Sequence, residues 1–492
     1  MLPDLKVILR DTGTVLTIFG AIMLSVVGIS YYFSEFDNGI VYSMLIPSLV
    51  VIDVGLAMLL IFRKSGETEL KHGLVIAAAS WLILPAISTI PFIMTYKMGP
   101  TDAFFETMSG WTGTGLTMIS DPSQLTHTLQ FWRSLMQWVG GVGVIVLMVT
   151  ILTGPGTGSF TLYRSEGRTE KILPSVVSTV RTIWWIYLLF TLVGIGLFYI
   201  AGMGIWGSVN HSMTTIATAG FAITKNSIQS YNSIPIEIAI IPIMLLGATP
   251  FLVHYKALRG NLRAIFKDAQ VKALITIVVV GVLILTIENY YTYYRAAGDS
   301  ILTSLRFSSF QFISALTTTG HQTANVHAWT ETAKIILSMA MVIGGAAGST
   351  AGGIKLVRGI LVYRGTRWSF KKASLPKHAV ASFKLGEKQI SEEETNRILA
   401  EANLITILWL VFLFIGTIVL LHVVDTSQYR LGDVFFEVAS AQGNAGLSTG
   451  ITSSSMNPIG KIMLIFNMWI GRLEIFPVLM LFRSLIRGLK PF

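Results

Sequence analysis

The sequence predicts an all-α polytopic membrane protein: two N-terminal helices followed by four pseudo-fourfold helix–pore loop–helix repeats. Three observations predict it. The 492 residues are 52% hydrophobic and only 13% charged, too few polar residues to cover a water-exposed surface. Several apolar runs exceed the ~18 residues that mark a membrane-spanning helix. A glycine-bearing loop of one form recurs four times along the chain. Lipid demands internal backbone hydrogen bonding, which helices provide, and the ~10-residue alternation of a transmembrane barrel is missing.

Apolar windows place spans near 13–33, 40–62, 73–96, 131–153, 182–203, 233–256, 272–291, 331–363, 400–424 and 457–485. Lys6 and Arg10 before the first run resemble a signal peptide, but the run is long and lacks a small-residue cleavage site, so it reads as a retained helix. The expected divisions are residues 1–70 for the leading pair, then repeats at 71–155, 156–260, 261–398 and 399–492. The eighth span is interrupted by Gly344, Gly345, Gly348, Gly352 and Gly353.

The formal charge of +10 falls on alternate connections. Arg63, Lys64 and Lys71 follow span two; Arg164, Arg168, Lys171 and Arg181 follow span four; Lys256, Arg259, Arg263 and Lys267 follow span six. Arg364, Arg367, Lys371, Lys372, Lys377, Lys384 and Lys388 follow span eight, and Arg483, Arg487 and Lys490 follow span ten. The opposite connections carry chiefly Lys97, Lys225, Arg295, Arg306 and Arg430. The positive-inside rule then places both termini in the cytoplasm, in a plasma (inner) membrane. Topology accounts for the charge without a nucleic-acid partner. With no cysteine, disulfides and thiolate metal sites are excluded.

The outer connections share a form. Stretches at 101–111, 205–216, 301–317 and 432–442, too short to cross, each lead into a loop rich in small residues. The loops are Thr112-Gly113-Thr114-Gly115-Leu116, Ala217-Thr218-Ala219-Gly220-Phe221, Thr317-Thr318-Thr319-Gly320-His321 and Gly443-Asn444-Ala445-Gly446-Leu447. Their shared glycines recur at intervals of roughly a hundred residues or more, an internal repeat. A dehydrated cation needs oxygens to replace its water, and backbone carbonyls supply them. Glycine tolerates the dihedrals that aim several carbonyls at one axis. Non-helical backbone at membrane depth is tolerated where it is buried or lines a cavity. Half-helices ending at the loops add the negative ends of their dipoles. The expected filter residues are Gly113, Thr114, Gly115, Thr218, Ala219, Gly220, Thr318, Thr319, Gly320, Asn444, Ala445 and Gly446. None is acidic, so a carboxylate ring is not indicated. Glu106, Asp121, Asp433 and Glu437 belong on the half-helices or at the outer mouth, attracting cations or capping and facing solvent.

FWRSLMQWVGGVGVIVL (131–147), GGAAGSTAGGIK (344–355), GNAGLSTG (443–450) and GRLEIFPVLML (471–481) resemble the potassium-transporter superfamily containing TrkH, TrkG, KtrB and plant HKT proteins. The match runs from about residue 70 to the end, and the two leading helices resemble the Trk branch rather than KtrB. The resemblance implies potassium as the transported ion, with no organic cofactor, and filter glycines at Gly115, Gly220, Gly320 and Gly446. It implies an intramembrane gating loop at Gly344, Gly345, Ala346, Ala347, Gly348, Ser349, Thr350, Ala351, Gly352 and Gly353, with Arg472 as the basic residue beside it. It also implies a homodimer with one pore per protomer and a separate cytosolic, nucleotide-binding RCK-type subunit (TrkA-like). The gating loop departs from the family's usual Gly-Ser-Pro-Gly in reading Gly-Ala-Ala-Gly, and the first two filter loops carry Gly113, Leu116, Ala217 and Ala219 where other residues are frequent.

Arg472 lies in an apolar span, where a charge is functional by default; a pair with Glu474 or a helix-end carbonyl is the structural reading. Lys355 either snorkels or contacts the gate. Asn444 and His321 brace the loops. The run Lys371, Lys372, Lys377, Lys384, Lys388 and Glu392 to Glu394 is a docking surface for a partner or a loop facing solvent and lipid headgroups. No metalloprotease motif, nucleophile elbow or P-loop marks an enzyme. The open alternatives are a symporter coupled to sodium or protons, a weakly selective cation channel, and a non-conducting scaffold.

Overall fold

The computed structural model describes residues 2–36, 39–143, 176–374, 383–385 and 388–488. The residues 144–153 expected to finish span four, the division at 155/156, Arg164, Arg168, Lys171, Lys377 and Lys490 lie outside them.

Two long helices, α1 (Leu2–Tyr32) and α2 (Ile40–Ile61), pack on each other and against the first repeat. Their contact is close because Gly13, Gly20 and Gly55 leave no side chain between the backbones; a Cβ on Gly55 would lie 2.6 Å from the Gly13 carbonyl oxygen. The first repeat is α3 (Leu70–Thr95), half-helix α4 (Pro100–Thr112) and α5 (His127–Val142). The second is α6 (Val176–Ile200), half-helix α7 (Ile205–Ile216), then α8 (Ile234–Gly247) and α9 (Phe251–Leu258). The third is α10 (Ala269–Asn289), half-helix α11 (Ile301–Leu316), α12 (Glu331–Ile343) and α13 (Leu356–Ala373). A two-stranded antiparallel ribbon, β1 (Phe383–Leu385) with β2 (Lys388–Ile390), leads to the fourth repeat. That repeat is α14 (Glu392–Val423), half-helix α15 (Leu431–Gly443), α16 (Pro458–Leu473) and α17 (Phe476–Arg487).

Among the described residues, six helices are long and apolar enough to cross a membrane, and two bent pairs qualify as broken spans. The bends differ from the sequence expectation of continuous spans six and ten: α8 meets α9 at 103° and α16 meets α17 at 110°. Pro250 caps α9 and, lacking an N–H, cannot continue α8. Glu474 and Ile475 both adopt positive φ between α16 and α17, a conformation L-residues hold only when their surroundings impose it. The eighth span breaks as expected: α12 ends at Ile343 and α13 begins at Leu356.

The repeats close on themselves. The second helix of each packs on the half-helix of the next: α5 on α7, α8 on α11, α12 on α15, and α16 back on α4. A polar bridge marks every joint. Trp206 Nε1 donates to Gln130 Oε1 at 2.8 Å, Arg306 pairs with Glu237 at 2.6 Å, Lys334 with Asp433 at 2.6 Å, and Lys461 with Asp102 at 2.5 Å.

Candidate functional site

All four half-helices end in the same way. The amides of Thr114, Ala219, Thr319 and Ala445 reach back to the carbonyls of Ser109, Thr214, Ser314 and Ser440, each at 2.9 Å. This bond requires a left-handed residue just before it, and that residue is Gly113 (φ 68°), Thr218 (50°), Thr318 (54°) or Asn444 (52°). The apparent oddity of Gly113 is thereby explained. It is the residue that fits the position without strain, whereas Thr218 and Thr318 are β-branched and disfavoured there.

Two residues later the loops meet in a ring. A Cβ on Gly115 would lie 2.6 Å from Gly220 N, one on Gly220 2.8 Å from Gly320 C, one on Gly320 2.0 Å from Ala445 O, and one on Gly446 2.2 Å from Thr114 O. Each glycine thus abuts the next loop, and the fourth returns to the first. Gly115, Gly320 and Gly446 also have positive φ, whereas Gly220 needs its small size alone. The ring floors a cavity of about 590 Å³.

The ring's walls are unequal. In loops one and three a pair of threonines bonds hydroxyl to hydroxyl, Thr112 with Thr114 at 2.7 Å and Thr317 with Thr319 at 2.8 Å. Loops two and four carry Ala217 with Ala219 and Gly443 with Ala445 instead. Asn444 Nδ2 ties loop four to loop one through Thr114 Oγ1 at 3.0 Å and to Met468 O at 3.0 Å. His321 Nε2 lies 3.0 Å from Thr215 Oγ1. Both side chains brace loops, as expected.

Three of the four acids lie on half-helices, one of the two places expected for them: Glu106 on α4, and Asp433 and Glu437 on α15. Glu106 and Glu437 are fully buried behind the loops. Glu106 accepts from Met118 N at 2.8 Å and pairs with buried Arg133 at 2.8 Å; Glu437 accepts from Thr449 N and Ser448 Oγ. Asp433 pairs with Lys334 and His327. Asp121, beyond the first loop, is half-buried and caps Ser123. Arg133 was not among the expected site residues; the signal for it is an arginine in mid-span within FWRSLMQWVGG.

On the other side of the ring lies the break in span eight, which is bonded to the loops directly. Gly352 N donates to Thr318 Oγ1 at 2.7 Å, and Gly353 N to Gly443 O at 3.1 Å. Thr218 Oγ1 donates to Thr350 Oγ1 at 3.1 Å, and Thr350 N to Gly247 O at 3.1 Å. A Cβ on Gly352 would lie 2.0 Å from Gly443 O. Ala346 N reaches Ala248 O at 3.0 Å, Ala347 N reaches Gln270 Oε1 at 2.8 Å, and Gly348 O accepts from Phe251 N at 2.9 Å. Ser349 Oγ turns back to Ala346 O at 2.6 Å.

Arg472 grips three carbonyls rather than Glu474: Thr350 O at 3.3 Å on the break, Gly141 O at 2.9 Å and Gly140 O on α5. Glu474 pairs with Arg358 instead. Lys355 bonds Ala351 O within the break. A second cavity, about 310 Å³, is lined by Ala347, Gly348, Ser349, Lys355, Arg358 and Arg472 among others.

The family model of TrkH, a cation transport protein, matches residues 46–487. The chain belongs to the TrkH family. A cation transporter of Methanocaldococcus jannaschii is 34% identical over 484 residues, covering 98% of this chain and 96% of that one. The Trk system potassium uptake protein TrkH of Salmonella typhimurium is 33% identical over 434 residues, 85% of this chain and 86% of its own. The crystal structure of the potassium transporter TrkH from Vibrio parahaemolyticus superposes with a TM-score of 0.82 at 26% identity, covering 97% of this chain and 98% of that one. This TrkH-family chain is accordingly a multi-pass membrane transporter.

Proposed function

We propose that the chain takes up potassium across the plasma membrane through a single-chain, carbonyl-lined filter. The observation that carries this reading is the closed ring of Gly115, Gly220, Gly320 and Gly446, each against the next loop. Oxygens of Thr114, Ala219, Thr319 and Ala445 and the residues before them replace the water of the ion. Neutral backbone suits a weakly hydrated monovalent cation, which has to leave as readily as it enters. The half-helix ends add negative potential without placing a carboxylate on the ion. The potassium uptake protein of Salmonella typhimurium and the potassium transporter of Vibrio parahaemolyticus support the choice of ion.

Residues 344–353 then form the gate, with Arg472 holding it to α5. Passage requires the break to move aside, releasing Thr218, Thr318 and Arg472. Inward flux draws on the membrane potential, about 2.3 kcal/mol per charge per 100 mV. In this reading both termini face the cytoplasm, the protein works as a homodimer, and a separate RCK-type nucleotide-binding subunit acts on the cytoplasmic face. The decisive experiment is potassium-dependent rescue of an uptake-deficient cell, paired with flux into proteoliposomes under imposed gradients. Passive potassium flux that follows voltage supports conduction; flux that stops without a sodium or proton gradient would replace it by coupled transport.

A further inference from the structure

The loops are held behind the ring by one repeated bond, and the second loop lacks it. Nine residues before each ring glycine, the half-helix carries an acceptor for the amide three residues after that glycine. Glu106 Oε2 accepts from Met118 N at 2.8 Å, Gln311 Oε1 from Thr323 N at 3.0 Å, and Glu437 Oε2 from Thr449 N at 3.0 Å. In the second repeat this position is His211, whose Nδ1 lies 2.9 Å from Gly207 O on its own helix.

The second loop is held from the neighbouring repeat. On α5, Gln137 Oε1 accepts from Phe221 N at 3.0 Å. One turn earlier, Arg133 Nη1 donates to Ala222 O at 2.9 Å, and its guanidinium stacks on the Phe221 ring at 4.0 Å. Residues four apart share one helix face, so the two side chains grip consecutive loop residues. The Gln137 orientation is fixed, because an amide N–H demands the oxygen. Its Nε2 is buried without a partner, an exposure to cost that a mere filler residue would avoid. Arg133 is simultaneously bonded to Glu106 at 2.8 Å and to Thr117 Oγ1 at 3.2 Å. One buried network thus spans loops one and two.

We infer that Gln137 and Arg133 are positioning residues that set the carbonyl geometry of the second loop, and with it the discrimination of potassium from sodium. This rests on the proposed carbonyl filter. The test compares potassium and sodium flux into proteoliposomes holding the full chain, alongside thermal midpoints. Gln137→Met keeps length and volume but removes the acceptor; Gln137→Glu keeps the acceptor. The expected result is a flux ratio lowered roughly two- to fivefold in Gln137→Met, the order of one buried hydrogen bond, and largely retained in Gln137→Glu. Arg133→Lys, whose ammonium cannot bridge Glu106 and Ala222 in a fork, lowers the ratio as well. A wild-type ratio in Gln137→Met, or in Arg133→Lys should the former not be recovered folded, overturns the inference. Equal loss in Gln137→Met and Gln137→Glu also overturns it, since packing then suffices. Gly115→Ser run in parallel separates the two levels: if it shifts the ratio and Gln137→Met does not, the positioning role fails while the filter stands. If neither shifts it, the filter reading fails.

Discussion

Thr318 accepts a hydrogen bond from the Gly352 amide at 2.7 Å, joining the third ring loop directly to the break in span eight. Thr318 holds a left-handed φ of 54° to do so, a conformation costing a β-branched residue about 1–2 kcal/mol. Strain of this kind points to function. Here the hydroxyl is what Gly or Asn would lack.

Thr318→Val removes the hydroxyl while keeping the branched shape. One hydrogen bond of about 1 kcal/mol shifts the closed–open balance roughly fivefold, so basal potassium flux rises by about that factor. Thr318→Ser stays near wild type. Proteoliposome flux checks both; unchanged flux in Thr318→Val removes Thr318 from the gate.

Thr218→Asn relaxes the same strain, since Asn is at home at the equivalent Asn444 (φ 52°). Its thermal midpoint rises while its flux also rises, because the bond to Thr350 is lost. A fall in both would assign Thr218 a purely structural part.

Gly115→Ser puts a Cβ 2.6 Å from Gly220 N at a φ of 96°. Distortion worth about 1–2 kcal/mol lowers potassium-over-sodium selectivity on the order of tenfold. The check is paired potassium and sodium flux; a wild-type ratio counts against the ring as the filter.

The 590 Å³ vestibule is lined by exposed Lys225, and no Asp or Glu lines it among the described residues. Asp121 sits within its field, held below the usual carboxylate range by the Ser123 hydrogen bond and also by the Lys225 charge. A unit charge at roughly 10 Å in water changes local monovalent cation concentration about twofold and divalent about fourfold. Lys225→Gln therefore raises uptake at low potassium and sharpens block by external divalent cations, and both effects fade at high ionic strength. Initial rates across potassium, magnesium and salt concentrations check this.

Glu35 caps α5 by accepting from His127 N at 2.7 Å and Thr128 N at 3.0 Å. Burial pushes its carboxyl up, but the Thr128 and His127 hydrogen bonds outweigh this and hold it below its ordinary value of 4.5. A depressed carboxylate contributes stability that is full above the unfolded value and lost as pH falls through the folded one. Thermal midpoints should therefore drop on acidification below about pH 4.5, and less steeply in Glu35→Gln.

Much of this was legible beforehand. Half-helices expected at 205–216 and 432–442 are Ile205–Ile216 and Leu431–Gly443, because amphipathic stretches too short to cross are distinctive. The break at 344–353 was legible through its glycines. The bends after Gly247 and Leu473 were not: hydropathy is blind to direction, and the 110° turn rests on Glu474 and Ile475 at positive φ, which no residue preference announces. Glu106 lies on a half-helix as expected, but its ion pair with Arg133 was not legible, because the two are 27 residues apart and a buried ion pair is invisible to a one-dimensional scan.

The threonine pairs of loops one and three alternate around the ring with alanine and glycine in loops two and four, so the four quarters are not interchangeable. In an assembly of identical subunits, any substitution strikes every wall at once. With the ring as the proposed filter, a single codon alters one wall and leaves three intact, so ion preference can be tuned one quarter at a time.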